Sequence, residues 1–260
     1  MSTFKGKIWL IGGTSESATL ALAIASAEIP CIISVTTNTA KSLYPPESPF
    51  LKIWIGKLDC GQISAFIHQQ NIVAILDASH PFAVEISKNA IAFSTTDNIP
   101  YLRYERPRYQ AEDSSITYLD SFETLLSGNY LNQKRVMLTL GYRNLAPFKS
   151  WHDRSTLFVR ILPSIVSLEA ALDAGFTPDK IIALRPPISP ELEKALWKQW
   201  NISLVVTKAS GVAGGEATKR NVAAELGISL IIIDRPQLNY PQQTNKLETA
   251  IQFCHHQFQQ

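Results

Sequence analysis

The sequence has few cysteines, and no two of them stand at the spacing of a redox or metal motif. Cys31, Cys60 and Cys254 are odd in number and include no C-x-x-C pair, which argues against a disulfide scaffold and for a reducing compartment. No apolar run approaches the ~20 residues that a membrane-spanning helix needs, and the first residues show no signal-peptide pattern. We therefore expect a cytoplasmic protein without a membrane partner.

Charge of one sign is not in excess, and several catalytic motifs are missing. The net charge is +2 and the lysines and arginines are scattered, so we expect no nucleic-acid partner. The G-x-S-x-G and H-E-x-x-H motifs are absent, which leaves serine hydrolases and zinc peptidases without support. His255 and His256 beside Cys254 have metal-ligand chemistry, but no second pair stands at zinc-site spacing. We expect no metal.

What the chain contains instead is a regular alternation of short apolar runs and helical patterns. The runs are continuous, as in strands buried on both faces of a parallel sheet. Asp59 and Ser189 are expected N-caps of the intervening helices, and Gly227 is an expected helix stop. The predicted strands are 7–12, 30–35, 51–56, 73–78, 100–105, 135–141, 157–162, 180–185, 202–208 and 229–234.

This rhythm predicts a three-layer α/β architecture, and the number of strands in 260 residues indicates two such units. The more polar stretch 110–133 is the candidate linker. We place the N-terminal domain at residues 1–115 and the C-terminal domain at 116–260, with the boundary somewhere between 105 and 135.

A glycine-rich turn, GGTSES at residues 12–17, follows the first predicted strand and opens a helix. The backbone amides of such a turn and the helix dipole favour a phosphate, so Gly12, Gly13 and Thr14 are candidate cofactor ligands. The turn departs from the G-x-G-x-x-G fingerprint, because Thr14 and Ser17 replace its second and third glycines. The alternative is a tight turn in which Ser15 is an ordinary cap.

The second predicted strand ends in SVTTNTAK, without the acidic residue that would hold a free ribose 2′-hydroxyl. Thr36, Thr37 and Lys41 are better suited to a 2′-phosphate. This favours NADPH as the cofactor, with NADH as the second option.

Several ionisable residues lie near or beyond the ends of other predicted strands, at the sheet edge where open α/β sheets bind ligands. His80, in DASHPFA, is a candidate for proton transfer; alternatively Asp77 and Ser79 cap the next helix while His80 packs against the backbone. Five arginines also stand at such positions, and arginine is suited to binding carboxylates and phosphates. Their side chains either contact a ligand or lie on the solvated surface. The arginines are Arg103, Arg106, Arg108, Arg143 and Arg160.

A second glycine-rich turn, TKASGVAGGEATKRNVAAELG at residues 207–227, again lies between a strand and a helix. It lacks the residue order of a Walker loop. Glu216 falls in the first helical turn, where the dipole favours a carboxylate. The candidates for a second anion contact are Lys208, Ser210, Gly211, Gly214, Gly215 and Lys219, and the alternative is a long loop before a capped helix.

Together these motifs resemble the precorrin-6A reductase family, CobK/CbiJ, of corrin biosynthesis. The resemblance runs in order through LIGGTSESATLA, DASHPFAVEIS, RYERP, LTLGYRNL, FVRILP and KASGVAGGEATKRNVAAELGISLIIIDRP. The chain departs from the family pattern at Ser17, Ser79 and Tyr109.

The resemblance implies two Rossmann-like domains with an interdomain cleft, where a nicotinamide cofactor meets a large tetrapyrrole. It implies hydride transfer to one double bond of the macrocycle and delivery of a proton, for which His80 and Lys208 are the candidates. The second glycine-rich turn would contact cofactor or substrate anions through Ser210, Gly211, Gly214 and Gly215. The expected contacts to substrate carboxylates are Arg103, Arg106, Arg143, Arg160 and Lys219.

Other functions remain open at this point. A two-lobed glycosyltransferase would bind a nucleotide sugar in its C-terminal lobe, and a nucleotide-sensing module would bind a cofactor without consuming it. A subunit that depends on another pathway enzyme is a third option. The sequence fixes neither the presence of cobalt in the substrate nor the oligomeric state.

Overall fold

The computed structural model describes residues 6–107, 115–211 and 214–259. These residues form twelve strands: β1 (Lys7–Ile11), β2 (Cys31–Val35), β3 (Leu51–Ile55), β4 (Ile72–Asp77), β5 (Tyr101–Tyr104), β6 (Ile116–Leu119), β7 (Arg135–Leu138), β8 (Thr156–Ile161), β9 (Ile181–Ala183), β10 (Leu204–Lys208), β11 (Ser229–Ile233) and β12 (Gln243–Thr244).

The same residues form nine α-helices: α1 (Ser15–Ser26), α2 (Asn38–Lys41), α3 (Cys60–Gln70), α4 (Val84–Thr96), α5 (Phe122–Ser127), α6 (Ile165–Asp173), α7 (Pro190–Gln199), α8 (Glu216–Leu226) and α9 (Leu247–Gln259). The expected caps are confirmed. Asp59 accepts a hydrogen bond from the Gln62 amide before α3, Ser189 caps α7 with Pro190 in its first turn, and Gly227 ends α8 in the left-handed conformation.

The chain divides into two compact units, Met1–Pro107 with Gln237–Gln260, and Arg108–Pro236. In the first unit the strand order is β12-β5-β4-β1-β2-β3, and every pairing described within it is parallel. Alternate residues of β1 face opposite helical layers, since Leu10 packs in the core with α1 and α9 while Trp9 packs with α3 and α4. The continuous apolar runs of the sequence are explained by this burial on both faces.

The second unit repeats this arrangement with the order β6-β11-β10-β7-β8-β9, again with parallel pairings throughout the described strands. Its core includes Met137, Phe158 and Val205 from the sheet and Trp197 and Val222 from the helices. The α/β fold with two parallel sheets is therefore confirmed, and each of the ten predicted strands overlaps an observed one.

After completing the second unit, the chain returns to the first. β6 follows β5 in sequence but pairs with β11, whereas β12 follows β11 and pairs with β5. The final helix α9 then packs against α1 and β4. Residues 237–260, which the sequence analysis assigned to the C-terminal domain, thus lie in the first unit, because their strand and helix complete its sheet and core. No helix among the described residues is long and apolar enough to cross a membrane.

Candidate functional site

In each unit the chain reverses its direction of travel across the sheet between two central neighbouring strands. These strands are β1 and β4 in the first unit and β7 and β10 in the second. Ligands of open α/β sheets bind outside the carboxyl ends of the strands at such a switch point. Near or beyond the carboxyl ends of these four strands, or of the neighbouring β2, β5 and β8, lie the two glycine-rich turns, SVTTNTAK, DASHPFA and the arginine motifs.

Thr14 connects the two loops at the switch point of the first unit. It is the N-cap of α1, where the alternative interpretation of this turn placed Ser15, and forms a reciprocal capping box with Ser17. Its hydroxyl accepts a 3.1 Å hydrogen bond from the Ser17 amide and donates a 2.8 Å bond to the Ala78 carbonyl, just beyond β4. The turn after β1 and the turn after β4 are therefore fixed to each other.

Tyr44 explains why the turn after β1 begins with glycine. A Cβ at position 12 would lie 2.3 Å from the Tyr44 hydroxyl oxygen, so only glycine fits there. That oxygen accepts a 2.6 Å hydrogen bond from the Gly13 amide and lies 2.6 Å from Ser17 Oγ. Burial raises the pKa of the Tyr44 hydroxyl, which keeps its proton available to Ser17 Oγ.

The open donors of this turn are not those that the sequence indicated. The amide of Gly12 donates to the Ser34 carbonyl, and that of Gly13 to Tyr44. Within the described part of the chain, the amides of Ser15 and Glu16 at the start of α1 have no hydrogen-bond partner. They are the donors that the helix leaves for an anion.

The space beside Gly13 in this turn is open. Gly13 has a φ of +101°, and a Cβ built there has no heavy atom within 4 Å. The neighbouring Glu16 carboxylate would repel an anion, but Arg106 donates to it over 2.8 Å and neutralises its charge. Arg106, an expected substrate contact, is thus paired at the start of α1.

Thr36 and Thr37 follow β2 at the same edge and are exposed. Thr37 caps the short helix α2 by accepting from the Ala40 amide over 3.1 Å. Lys41 is paired with Glu47 at 3.1 Å. Of these two threonines, Thr36 is therefore the one whose hydroxyl does not cap α2.

Asp77, the last residue of β4, is the centre of a buried polar network. Its carboxylate accepts hydrogen bonds from the Ser79 amide, Ser87 Oγ, the Tyr101 hydroxyl and Arg103 Nη1, at 2.6 to 2.9 Å. Burial alone would raise the pKa of Asp77, but the Arg103 charge and these hydrogen bonds hold it below its usual value. The carboxylate is therefore ionised at neutral pH.

Arg103 was expected to contact substrate carboxylates, but it is buried inside the first unit. Only 1% of its surface is exposed, and it is paired with both Asp77 and Glu105 at 2.9 Å. Its charge is compensated inside the first unit, so we assign it to the support of the site. Arg108 and Tyr109 lie outside the described residues.

His80 directly follows Ser79 and is half-buried. Its Nδ1 accepts a 3.2 Å hydrogen bond from the Phe82 amide, so the neutral ring carries its proton on Nε2. The helix that follows, α4, has no side-chain cap, which means that neither Asp77 nor Ser79 caps it. The imidazole is thus held in one tautomer at the switch point.

In the second unit, Lys208 and Arg143 bring two positive charges to the switch point. A Cβ at Gly141 would lie 3.9 Å from Lys208 Nζ, which places the loop after β7 beside the end of β10. Burial, and secondarily the Arg143 charge, lower the pKa of Lys208 to about 8. Arg143 itself is exposed and donates to the Tyr142 hydroxyl over 3.2 Å. The arrangement is suited to an anionic ligand.

The second glycine-rich turn is organised from within by Glu216 and Lys219. The Glu216 carboxylate accepts a 2.9 Å hydrogen bond from the Gly211 amide. Lys219 Nζ donates to the carbonyls of Gly214 and Gly215, at 2.8 and 3.2 Å, and only 3% of the residue is exposed. The expected anion contacts of Gly211 and Lys219 are therefore replaced by contacts inside the loop.

Close packing also explains Gly214, because a Cβ there would lie 1.8 Å from Ser210 Oγ. The Gly214 amide donates to the Gly211 carbonyl at 3.1 Å. Residues 212 and 213, in the middle of this turn, lie outside the described residues. The glycines of this turn thus serve its internal geometry.

Arg160 is likewise paired inside the second unit. Its Nη1 donates to Glu193, of which 2% is exposed. Burial, followed by the Arg160 charge, lowers the pKa of the nearby Lys219 to about 8. Of the five expected substrate contacts, Arg143 is the one that is exposed; Arg103 and Lys219 are buried, and Arg106 and Arg160 are half-buried in ion pairs.

Sequence reasoning missed the partners of these arginines and of the turn after β1. Tyr44, Glu16 and Glu193 stand far along the chain from the residues that they contact, and no motif marks them. Cys254 is fully buried in the first unit's core, and His255 and His256 are exposed. Over the ranges that the structure describes, no three His, Cys, Asp or Glu side chains come together as a metal site.

Comparison with known proteins gives one consistent result. The family model "Precorrin-6x reductase CbiJ/CobK" matches residues 7–255. A cobalt-precorrin-6A reductase of Synechocystis sp. is 45% identical over 250 residues, which is 95% of each chain. A cobalt-precorrin-6A reductase of Priestia megaterium is 34% identical over 237 residues, covering 90% of this chain and 92% of the relative.

A precorrin-6A reductase of Mycobacterium tuberculosis is 28% identical over 239 residues, covering 89% of this chain and 90% of the relative. Among solved structures, a CobK precorrin-6A reductase matches with a TM-score of 0.79 over 97% of both chains, at 22% identity. At that identity the structural match establishes the fold.

Proposed function

Since the chain belongs to the precorrin-6x reductase CbiJ/CobK family, we propose that it uses NADPH to reduce precorrin-6A, or its cobalt complex, to the 6B form. The family is one of oxidoreductases that act on a CH–CH bond in cobalamin biosynthesis. Membership in it leaves the glycosyltransferase and the non-catalytic module without support.

The observation that carries the cofactor assignment is the open start of α1 at the switch point of the first unit. The amides of Ser15 and Glu16, which have no partner among the described residues, and the free space at Gly13 are suited to the cofactor pyrophosphate. Thr14 contributes by fixing the turn after β1 to Ala78. When bound, the dihydronicotinamide supplies the hydride.

NADPH is proposed over NADH because the end of β2 carries hydroxyls and no acidic side chain. Thr36 is exposed and uninvolved in capping, so it is the residue that we assign to the 2′-phosphate. A carboxylate at this position would instead bind the 2′-hydroxyl of NADH.

Reduction of a double bond also needs a proton. Lys208, with its pKa lowered to about 8, holds a proton at neutral pH and releases it more readily than an ordinary lysine. His80, which carries its ring proton on Nε2 when neutral, is the second candidate. Arg143, exposed beside Lys208, is assigned to the substrate carboxylates.

We also propose a cytoplasmic location. All three cysteines are free thiols, and Cys31 and Cys254 are buried in the core, which suits a reducing compartment.

An anaerobic assay of the purified protein tests the proposal. Precorrin-6A and its cobalt complex are offered separately with NADPH or NADH, and cofactor absorbance is followed together with the visible spectrum of the macrocycle. We expect stoichiometric loss of NADPH and faster turnover than with NADH. Cofactor binding without consumption on either macrocycle would contradict the proposed function.

A further inference from the structure

We propose that Asp77 and Arg103 are positioning residues of the reductase: they hold the main chain of Ser79, and through it His80 and the cofactor turn, at the carboxyl end of β4. The expected effects on turnover rest on the proposed function. The positioning of Ser79 rests on contacts within the first unit.

Arg103 reaches from β5 across to the turn after β4 and binds it at two points. Its Nη1 donates to Ser79 Oγ and its Nη2 to the Ser79 carbonyl, both at 3.0 Å. The same Nη1 donates to Asp77 Oδ1 at 2.9 Å, and Asp77 Oδ1 accepts from the Ser79 amide at 2.9 Å. The amide, carbonyl and hydroxyl of Ser79 are therefore all fixed by one ion pair.

The residues on either side of Ser79 belong to the site. Ala78 precedes it and accepts the hydroxyl of Thr14 at 2.8 Å, while its amide donates to the Ile11 carbonyl at 3.1 Å. His80 follows it. A shift of the Ser79 main chain would move both the N-cap of α1 and the imidazole, so this turn transmits the position of the ion pair to the cofactor turn.

The position of the pair is not explained by stability alone. A buried ion pair adds little net stability over well-packed apolar residues, and Asp77 and Arg103 are 0% and 1% exposed. Asp77 Oδ1 and both Nη atoms of Arg103 bind the turn itself, where backbone carbonyl and amide groups need partners. The geometry of this pair therefore serves the turn that it holds.

The segment that returns from the second unit covers the other side of Arg103. The guanidinium lies 5.3 Å from the centre of the Tyr240 ring, and the Arg103 amide donates to the Gln242 carbonyl at 2.9 Å. Tyr240 also stacks on Tyr101, with ring centres 6.5 Å apart and planes at 7°. With this cover, Asp77 and Arg103 are 0% and 1% exposed.

Two variants separate positioning from stability. Arg103→Lys keeps the charge beside Asp77 but loses the planar fork that binds Ser79 twice. Tyr101→Phe is the matched control, because it removes a 2.7 Å hydrogen bond to the same carboxylate and leaves both Arg103–Ser79 contacts in place. For each, we measure the melting temperature, the NADPH dissociation constant, kcat, and the NMR signals of the His80 imidazole in histidine-labelled protein.

We expect Arg103→Lys to lower kcat by about ten- to a hundredfold, as small misplacements of a site do. It should also shift the His80 signals in spectra recorded at a temperature well below its melting temperature, where the protein is folded. Tyr101→Phe should lower the melting temperature while kcat stays within about twofold. Equal losses of kcat and stability in the two variants, with unshifted His80 signals, would overturn the inference.

A further variant covers the case in which Arg103→Lys does not fold. Ser79→Ala removes only the hydroxyl contact and should shift the His80 signals by a smaller amount; unshifted signals would count against positioning. If the wild-type protein itself fails to oxidise NADPH with either macrocycle, the proposed function fails, while the His80 shift still decides whether the pair positions the turn.

Discussion

The hydroxyl of Tyr44 accepts a 2.6 Å hydrogen bond from the amide of Gly13. The amide that a phosphate-binding turn usually offers first is thus engaged inside the protein, and the open donors lie one and two residues into α1. Gly13 contributes to the site through the absence of a side chain and through its backbone conformation. This distinction leads to a specific test of the cofactor turn.

We expect Gly13→Ala to weaken NADPH binding by about tenfold or more, because the new methyl group projects into the open space that the phosphate needs. The positive φ of +101° adds strain, which should lower the free energy of unfolding by about 1–2 kcal/mol. Cofactor fluorescence titration and urea denaturation measure the two effects.

Gly227→Ala is the matched control for this change. Gly227 also has a positive φ, +64°, and open space around a built Cβ, but it ends α8 in the second unit. It should lose similar stability and keep its NADPH affinity. An unchanged affinity in folded Gly13→Ala protein would contradict the assignment of the pyrophosphate to this turn.

Cofactor preference should change when a negative charge is placed after β2. Thr36→Asp is expected to weaken NADPH binding by about tenfold through repulsion of the 2′-phosphate, and to leave NADH binding unchanged or improved. Thr95→Asp, an exposed position near the end of α4, adds the same charge at the opposite edge of the sheet. Equal effects of both variants on the NADPH-to-NADH ratio would refute the role of Thr36.

Turnover should depend on the protonation of Lys208. If its ammonium delivers the proton, kcat falls as the pH rises through about 8, the value to which burial lowers the pKa of this side chain. Lys208→Met should abolish this alkaline limb together with most of the activity, with little change in NADPH affinity. A pH profile that keeps the limb in Lys208→Met protein would assign the proton to another group, and His80 would be tested next.

The same lowered pKa has a consequence for stability. An unfolded lysine titrates near 10.4, so between about pH 8 and that value the unfolded chain binds more protons than the folded protein. The free energy of unfolding should therefore rise with pH in this window. Lys219, whose pKa is also lowered to about 8, contributes in the same direction. In Lys208→Met protein the free energy of unfolding should rise less with pH, as measured by denaturation at several pH values. An unaltered rise would contradict the burial of the Lys208 ammonium.

Substitution of Arg143 should affect turnover, whereas substitution of Arg160 should affect stability. Arg143 is exposed and makes no ion pair within the described chain, so Arg143→Ala should lower kcat/KM for the macrocycle about tenfold without changing the melting temperature. Arg160→Ala leaves the buried Glu193 without its partner and should lower the free energy of unfolding by about 3–5 kcal/mol. Kinetics and denaturation of both variants test this, and a stability loss in Arg143→Ala would contradict the assignment.

Much of the fold could be predicted from the sequence because buried parallel strands are continuous apolar runs. β6 and β12 were missed for a physical reason: they are short edge strands, and β12 contains only Gln243 and Thr244. The return of β12 to the first unit left no local signal either, which is why the C-terminal 24 residues were expected in the other domain.

The positions of the candidate site residues follow from strand ends, but their roles depend on partners that are distant in sequence. Asp77 and Arg103 are 26 residues apart, and Glu16 and Arg106 are 90 apart. Nothing in the local pattern of an arginine shows whether it meets a carboxylate of its own chain or one of a substrate. Burial and ion pairing therefore had to come from the structure.

The most direct test of the central claim is isotope transfer from the cofactor to the macrocycle. NADPH carrying deuterium at both C4 positions is incubated anaerobically with the protein and precorrin-6A, and the product is analysed by mass spectrometry. We expect a product heavier than the substrate by one deuterium and one proton, with the deuterium bound to carbon. A product heavier by two ordinary hydrogens, or an unchanged macrocycle, would contradict direct hydride transfer by this protein.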